Sequence, residues 1–229
     1  MDLQTQHAIV VVGAMNPTIH HPQWYQAVEL LSQAEAEAAL SRNNVVVLPQ
    51  LAQFEADGLS LECNQSRWQV ATTTPTLRAR ILRIAQGTFQ RLYHTPVSAF
   101  GMNYQYTREI KESSFERLSG KMTAGMPYPQ ANALATSATH LDGFNFSFSY
   151  PMPALATDTD TEVERTLRVT ASVIRLPNPA VQIRANAHHD IVVPAAKEYD
   201  LAPIIEQAAH VFDVMEAYAP SLFEYLQGE

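Results

Sequence analysis

Two stretches of this chain match each other at a fixed offset of 123 residues, and that match limits the fold more than any other feature. ILRIAQGTF (81–89) lies over IIEQAAHVF (204–212), with Ile81 over Ile204, Leu82 over Ile205, Ala85 over Ala208 and Phe89 over Phe212. In both, apolar residues recur at helical spacing, so each reads as an amphipathic helix with one buried face. The same offset sets Trp68 and Val70 over Ile191 and Val193, inside segments that alternate like strands. Strands, a hairpin and a long helix, twice over, predict an α+β fold of two similar halves, each an antiparallel sheet packed on a long helix. The halves run over 1–118 and 119–229, packed together as one globular unit. The ordinary alternative is that any two amphipathic helices share an apolar period.

The local signals fill in this frame. AIVVVGAM (8–15) is β-branched and ends at Asn16-Pro17, so it reads as a buried strand. Pro22 opens a helix with His21 at its N-cap. Ser32 and Glu35 form an S-x-x-E capping box that starts a second short helix from Gln33 to about Arg42. VVVL (45–48) reads as a strand. Leu59, Leu61 and Cys63, then Trp68 and Val70, alternate with polar residues about a turn at Asn64-Gln65-Ser66, which predicts a hairpin. Thr74-Pro75 starts the first long helix, and VSAFGMNYQY (97–106) reads as a strand after it. The span 119–140, rich in glycine, proline and small polar residues, reads as a long loop. Phe144, Phe146, Phe148 and Tyr150 alternate with polar residues, giving a strand with one aromatic face. TLRVTASVIRL (166–176), VQIRANA (181–187) and IVV (191–193) read as further strands. The second long helix runs from about Leu201 to Tyr218, where Pro220 ends it.

The residues FEADGLSLECNQSRWQVATTTPTLRARILRIAQGTFQRLYHTPVSAFGMNY (54–104) and IIEQAAHVFDVMEAYAP (204–220) carry a resemblance. Their layout resembles a sporadic family of uncharacterised bacterial proteins, in which a hairpin leads into a long helix and a second such unit closes the chain. NPTIHHPQWY near the start departs from that pattern. The resemblance implies the two-unit layout and no activity.

Composition narrows the function classes. With 229 residues, 46% apolar and 17% charged, the chain can bury a sizeable core. A net charge of −8 does not suit a generic nucleic-acid binder, which needs clustered cations. Met1–Gln6 lacks a signal peptide's cationic region, and Ala8–Met15 is too short to cross a membrane. Together with a single cysteine, Cys63, this gives the expectation of a cytoplasmic protein with no membrane partner. No phosphate-binding glycine loop, H-E-x-x-H, C-x-x-C or G-x-S-x-G motif is present, and no cofactor is implied.

Several residue groups are candidate sites. His20-His21 and His188-His189 suggest imidazole ligands, with Asp190 as a carboxylate. Neighbours on a strand point to opposite faces, however, so a pair supplies one ligand unless it sits in a turn; no metal is expected. Over the 123-residue offset, His188-His189 falls on the turn Asn64-Gln65-Ser66. His20, His21, Trp24 and Tyr25 form a candidate pocket for a dispersed active site, or simply a helix burying its aromatic face. Cys63 reads as a packed apolar group, and Asp158, Asp160, Glu162 and Glu164 as a solvated acidic face. The aromatic stripe at 144–150 could stack bases, but a covered sheet face explains it as well.

Charge is the most informative feature. Residues 63–108 hold Arg67, Arg78, Arg80, Arg83, Arg91 and Arg108 and no acid, while 190–229 hold one lysine against a run of acids. The two matched helices therefore carry opposite charge. The expectation is a non-enzymatic binding or assembly protein whose partner, another protein or a second copy of itself, docks on Arg80, Arg83 and Arg91. An enzyme at the His20–Tyr25 segment and a nucleic-acid-associated protein using the arginine helix are the alternatives.

Overall fold

In the computed structural model, residues 3–42, 44–124, 143–152, 162–175, 178–192 and 201–227 are described. Among the described residues, nine strands form one antiparallel sheet in the order β2-β3-β4-β5-β1-β6-β9-β8-β7. They are β1 (Leu3–Gly13), β2 (Val46–Leu48), β3 (Leu51–Ala56), β4 (Leu59–Asn64), β5 (Arg67–Thr72), β6 (Val97–Glu109), β7 (Gly143–Pro151), β8 (Glu162–Ile174) and β9 (Ala180–Val192). The helices are α1 (Pro22–Ala27), α2 (Gln33–Ser41), α3 (Arg78–Arg91), α4 (Glu112–Ala124), α5 (Leu201–Ala208) and α6 (His210–Gln227). The chain is α+β. No described helix is long and apolar enough to cross a membrane.

Alternation along the strands decides which face is covered. Ile9 and Val11 of β1, Trp68 and Val70 of β5, Phe100, Met102 and Tyr104 of β6, Val169 of β8 and Ile183 of β9 point to one side and are buried. Ile81, Ile84, Ala85 and Phe89 of α3 and Ile205, Ala208, Val211, Phe212 and Met215 of α5 and α6 close over them. Helix α3 packs on β1 and β5 and lies against α5, and α6 packs on β6 and β9.

Local chemistry follows the sequence in several places. The His21 ring accepts the Gln23 amide at the start of α1, and Ser32 and Glu35 complete the reciprocal capping box of α2. In others tertiary packing overrides it. Thr74 makes no side-chain cap, and a 3-10 turn over Pro75–Leu77 precedes α3 instead. VQIRANA and Ile191-Val192 belong to one strand, β9, and Val193 lies outside the described residues. Residues 119–124, expected in a loop, finish α4; the rest of that span, 125–140, lies outside the described residues. The second long helix is two, and Pro220 sits inside α6 rather than ending it. Ala219 and Phe223 are buried on either side of that proline, so packing holds the turn whose hydrogen bond it removes.

Gly13 marks the end of the central pairing, where the β1–β6 register shifts. A Cβ at that position would stand 2.1 Å from the Pro96 carbonyl oxygen, a backbone atom that cannot swing away. Gly120, in α4, has nothing within 4 Å of such a Cβ. Gly13→Ala is therefore expected to lose about 1–3 kcal/mol. Gly120→Ala is expected to gain up to about 1 kcal/mol from helix propensity. Urea denaturation of the two variants checks both signs.

Candidate functional site

The other face of the sheet carries no described helix. On it, β1, β6, β9, β8 and β7 line up their outward residues in rungs set by the register. One rung reads Ala8, Asn103, Asn186, Arg168, Ser149; the next Gln6, Gln105, Arg184, Thr170, Ser147; the third Gln4, Thr107, Gln182, Ser172, Asn145. These rungs hold carboxamides, hydroxyls and two arginines, and no carboxylate.

Side chains on the rungs hold one another. Asn186 donates to Asn103 across 2.5 Å, Arg184 Nε donates to Gln105 across 3.2 Å, and the Ser147 and Thr170 hydroxyls are 2.6 Å apart. Among the described residues Arg168 makes no ion pair. A depression of about 310 Å³ opens between Gln6, Ala8, Asn103, Arg168, Arg184 and Asn186. A second, of about 260 Å³, adjoins it at Gln6 and extends to Ser60, Ala71, Glu55 and Arg42. The surface can offer donors and acceptors at fixed positions and two guanidiniums for an anion.

The residues expected from sequence are placed elsewhere. His20 and Tyr25 lie in the core, 1% and 0% exposed. The His20 ring meets the Tyr25 hydroxyl at 2.7 Å, and Trp68 donates to the same oxygen across 3.0 Å, so the three form one buried chain. Trp24 packs edge-on against Tyr25, and His21 caps α1. Burial raises the Tyr25 hydroxyl above its ordinary range and lowers His20 to about 4. Cys63 is fully buried, its thiol pushed up to about 12 by burial. His188 and His189 sit within β9 rather than in a turn. His188 is on the open face beside Asp190 at 3.0 Å, and His189 is in the core, stacked on Phe100 with ring centres 4.1 Å apart. Among the described residues, no three His, Cys, Asp or Glu side chains come together as a metal site.

Within α3, Arg83 and Arg91 are exposed, while Arg80 is paired with Glu35 of α2. Arg78 bridges Asp213 at 2.7 Å and Glu216 at 3.0 Å, so cations of α3 and acids of α6 meet inside one chain. Glu216 also holds the buried His7 Nε2 at 2.6 Å. His7 lies beneath a cleft of about 550 Å³ lined by Thr5, Thr76, Arg78, Tyr104 and Glu216. Sequence reading missed this group because its members come from β1, α3, β6 and α6 with no local pattern. No protein-family model matches the chain, and no curated protein matches it at a significant level.

Three buried histidines set the acid sensitivity of the fold. Burial lowers His20 to about 4 and His189 to about 3, and it lowers His7 despite the Glu216 carboxylate that favours its proton. Unfolded, each titrates near 6.5, so below that pH the unfolded chain binds more protons and stability falls. Each costs about 1.4 kcal/mol per pH unit until its folded value is reached. Between pH 7 and 5, above most carboxylate titration, urea midpoints are expected to drop steadily. His189→Phe, which keeps the stack on Phe100, should shallow that slope; an unchanged slope contradicts the assignment.

Proposed function

We propose that this chain is a non-enzymatic binding or assembly protein that makes its contacts through the open face of the sheet. One observation carries the reading: a nine-stranded sheet with a whole face bare of described helices, whose three central β6-β9-β8 rungs carry arginine, hydroxyls and carboxamides without lysine, aspartate or glutamate, the acids Glu109, Glu164 and Asp190 of that face standing at its two ends. A solvated sheet face is ordinary. Contact surfaces, though, are enriched in arginine and depleted in lysine and acids, and these rungs share that bias. Ala8, Ala71, Ala99 and Gly101 floor the centre of the face, which lets a partner approach the backbone.

The order of strands supports reading the chain as two similar halves about an axis between β1 and β6. With the boundary drawn before β6 rather than at 118–119, β1 of the first half neighbours β5, then β4, then β3, and β6 of the second neighbours β9, then β8, then β7. Helices α1 and α2 follow β1 as α4 follows β6, and α3 follows β5 as α5 follows β9. The open face would then span both halves, wide enough for another protein or a second copy of this chain.

The test places carboxylates on the face outside its depressions, by Val12→Glu, Gln69→Glu and Gln182→Glu together, and compares Arg83→Glu with Arg91→Glu on the helix side. The sheet-face variant is expected to stay folded by circular dichroism and to change its mass in light scattering, or to release the protein that accompanies the wild type. The helix-face variant should do neither. Loss from the helix-face variant alone moves the contact to α3 and overturns the reading.

A second reading, an enzyme, is favoured by the His7–Glu216 pair beneath the cleft. With Nε2 held by the carboxylate, Nδ1 is the free nitrogen, buried and without a partner, that could act as a base. It ranks second because the ring is 1% exposed. Turnover on a substrate panel, abolished by His7→Asn in a folded protein, would put it first.

A further inference from the structure

Building on the open-face reading, we propose that the depression between β1, β6, β9 and β8 binds a small polar molecule through its phosphate or carboxylate group, with Arg168 and Arg184 as the anion clamp and Gln6, Asn103 and Asn186 as partners for its neutral groups. Size is the first argument. About 310 Å³ lies at the lower end of small-molecule sites, which are a few hundred Å³ upward.

Charge is the second. Arg168 faces Asn186 across β8–β9, and Arg184 faces Thr170 one rung away, so the arginines are diagonal neighbours. Diagonal positions on adjacent strands are about 7–8 Å apart at the backbone, within joint reach of two guanidiniums. No carboxylate lines the depression. Arg184 is steadied through Nε by Gln105, which leaves its terminal nitrogens for a ligand. Two like charges on neighbouring rungs repel, and an oxyanion between them removes that repulsion while accepting forked hydrogen bonds.

The polar inventory is the third. In the Asn186–Asn103 bond one amide nitrogen donates and one amide oxygen accepts. Asn186 keeps its oxygen and Asn103 its nitrogen, a fixed acceptor beside a fixed donor, and Gln6 adds another of each. Such a set suits hydroxyl or amide groups next to the anion. The lining offers no aromatic ring face outward for stacking, so the chemistry fits a polyol phosphate or hydroxy acid better than a flat heterocycle.

Calorimetry and thermal denaturation with inorganic phosphate, glucose 6-phosphate, succinate and uncharged glucose test this on the full chain. Saturable binding of an anion with a rise in Tm is expected, and none for glucose. Arg168→Gln and Arg184→Gln should each weaken it about tenfold or more, while Arg91→Gln leaves it unchanged. Asn103→Asp, which sets a carboxylate in the depression and keeps both arginines, should abolish it. Tighter binding of the phosphates than of succinate assigns the phosphate source, and the reverse assigns the carboxylate. No saturable binding of any anion, or binding indifferent to Arg168→Gln and Arg184→Gln, overturns the proposal. Loss of the partner in the Val12/Gln69/Gln182 variant is read separately, so the broader open-face reading can stand when this one falls.

Discussion

The pairing of β1 with β6 is the contact on which everything else depends. It runs from Leu3↔Arg108 to Gly13↔Val97 and joins the strands before residue 75 to those after it in one sheet. Each strand is flanked on its other side by the last strand of its own segment, β5 or β9. Over the seam, α3 and α5 lie side by side with Ile81, Ala85, Ile205 and Ala208 buried, so the seam is covered on one face only. Backbone hydrogen bonds across the seam satisfy groups that no water reaches from the helix side, and the apolar layer above supplies the burial. Breaking this pairing would expose two sheet edges at once.

Because the helices lie on one face, part of the charge of the helix layer is answered inside the chain. Arg78 ties α3 to Asp213 and Glu216, Arg80 ties it to Glu35, and Arg175 ties the end of β8 to Glu112 of α4 while lying over the Phe115 ring. The opposite charges of the matched helices, legible in the sequence, are in part answered by neighbouring elements. Partly exposed pairs of this kind contribute about 0–1 kcal/mol each, so their role is to orient helices that apolar contacts already hold.

How far the sequence could be read varies by element, for physical reasons. Capping chemistry is local, and His21 and the Ser32–Glu35 box stand where the pattern puts them. Strand β3 is not among the expected strands, although FEADGLSL carries its signal: Phe54 and Ala56 alternate with Glu55, and Asp57-Gly58 is the turn pair. Both take left-handed angles, φ 43 and 78°, as a tight hairpin requires. Pro220 signals a helix end by its local chemistry alone, whereas the buried Ala219 and Phe223 offset the lost helical bond. The His20–Tyr25–Trp68 chain was half legible: the first two are near in sequence, and the third arrives on a hairpin strand.

The open-face rungs were beyond reach for another reason. Gln6, Asn103, Arg168 and Asn186 each look like an ordinary outward residue on an amphipathic strand, and only the cross-strand register brings them together. Register also sorts the charge. The chain's net charge of −8 predicts repulsion of anions, yet many of its acids lie on the helix layer: Glu35, Glu37, Glu112, Glu116, Glu206, Asp213, Glu216 and Glu224. Exposed charges are weakened over a Debye length of about 8 Å at physiological salt, so the acids turned to solvent on the far side of the sheet act less strongly than two guanidiniums in hydrogen-bonding contact. An anion at Arg168 and Arg184 therefore experiences mainly the two guanidiniums and their carboxamides, and hardly the acidic helices behind the sheet. Net charge sets the behaviour of the whole molecule, whereas the register of three strands sets that of the site.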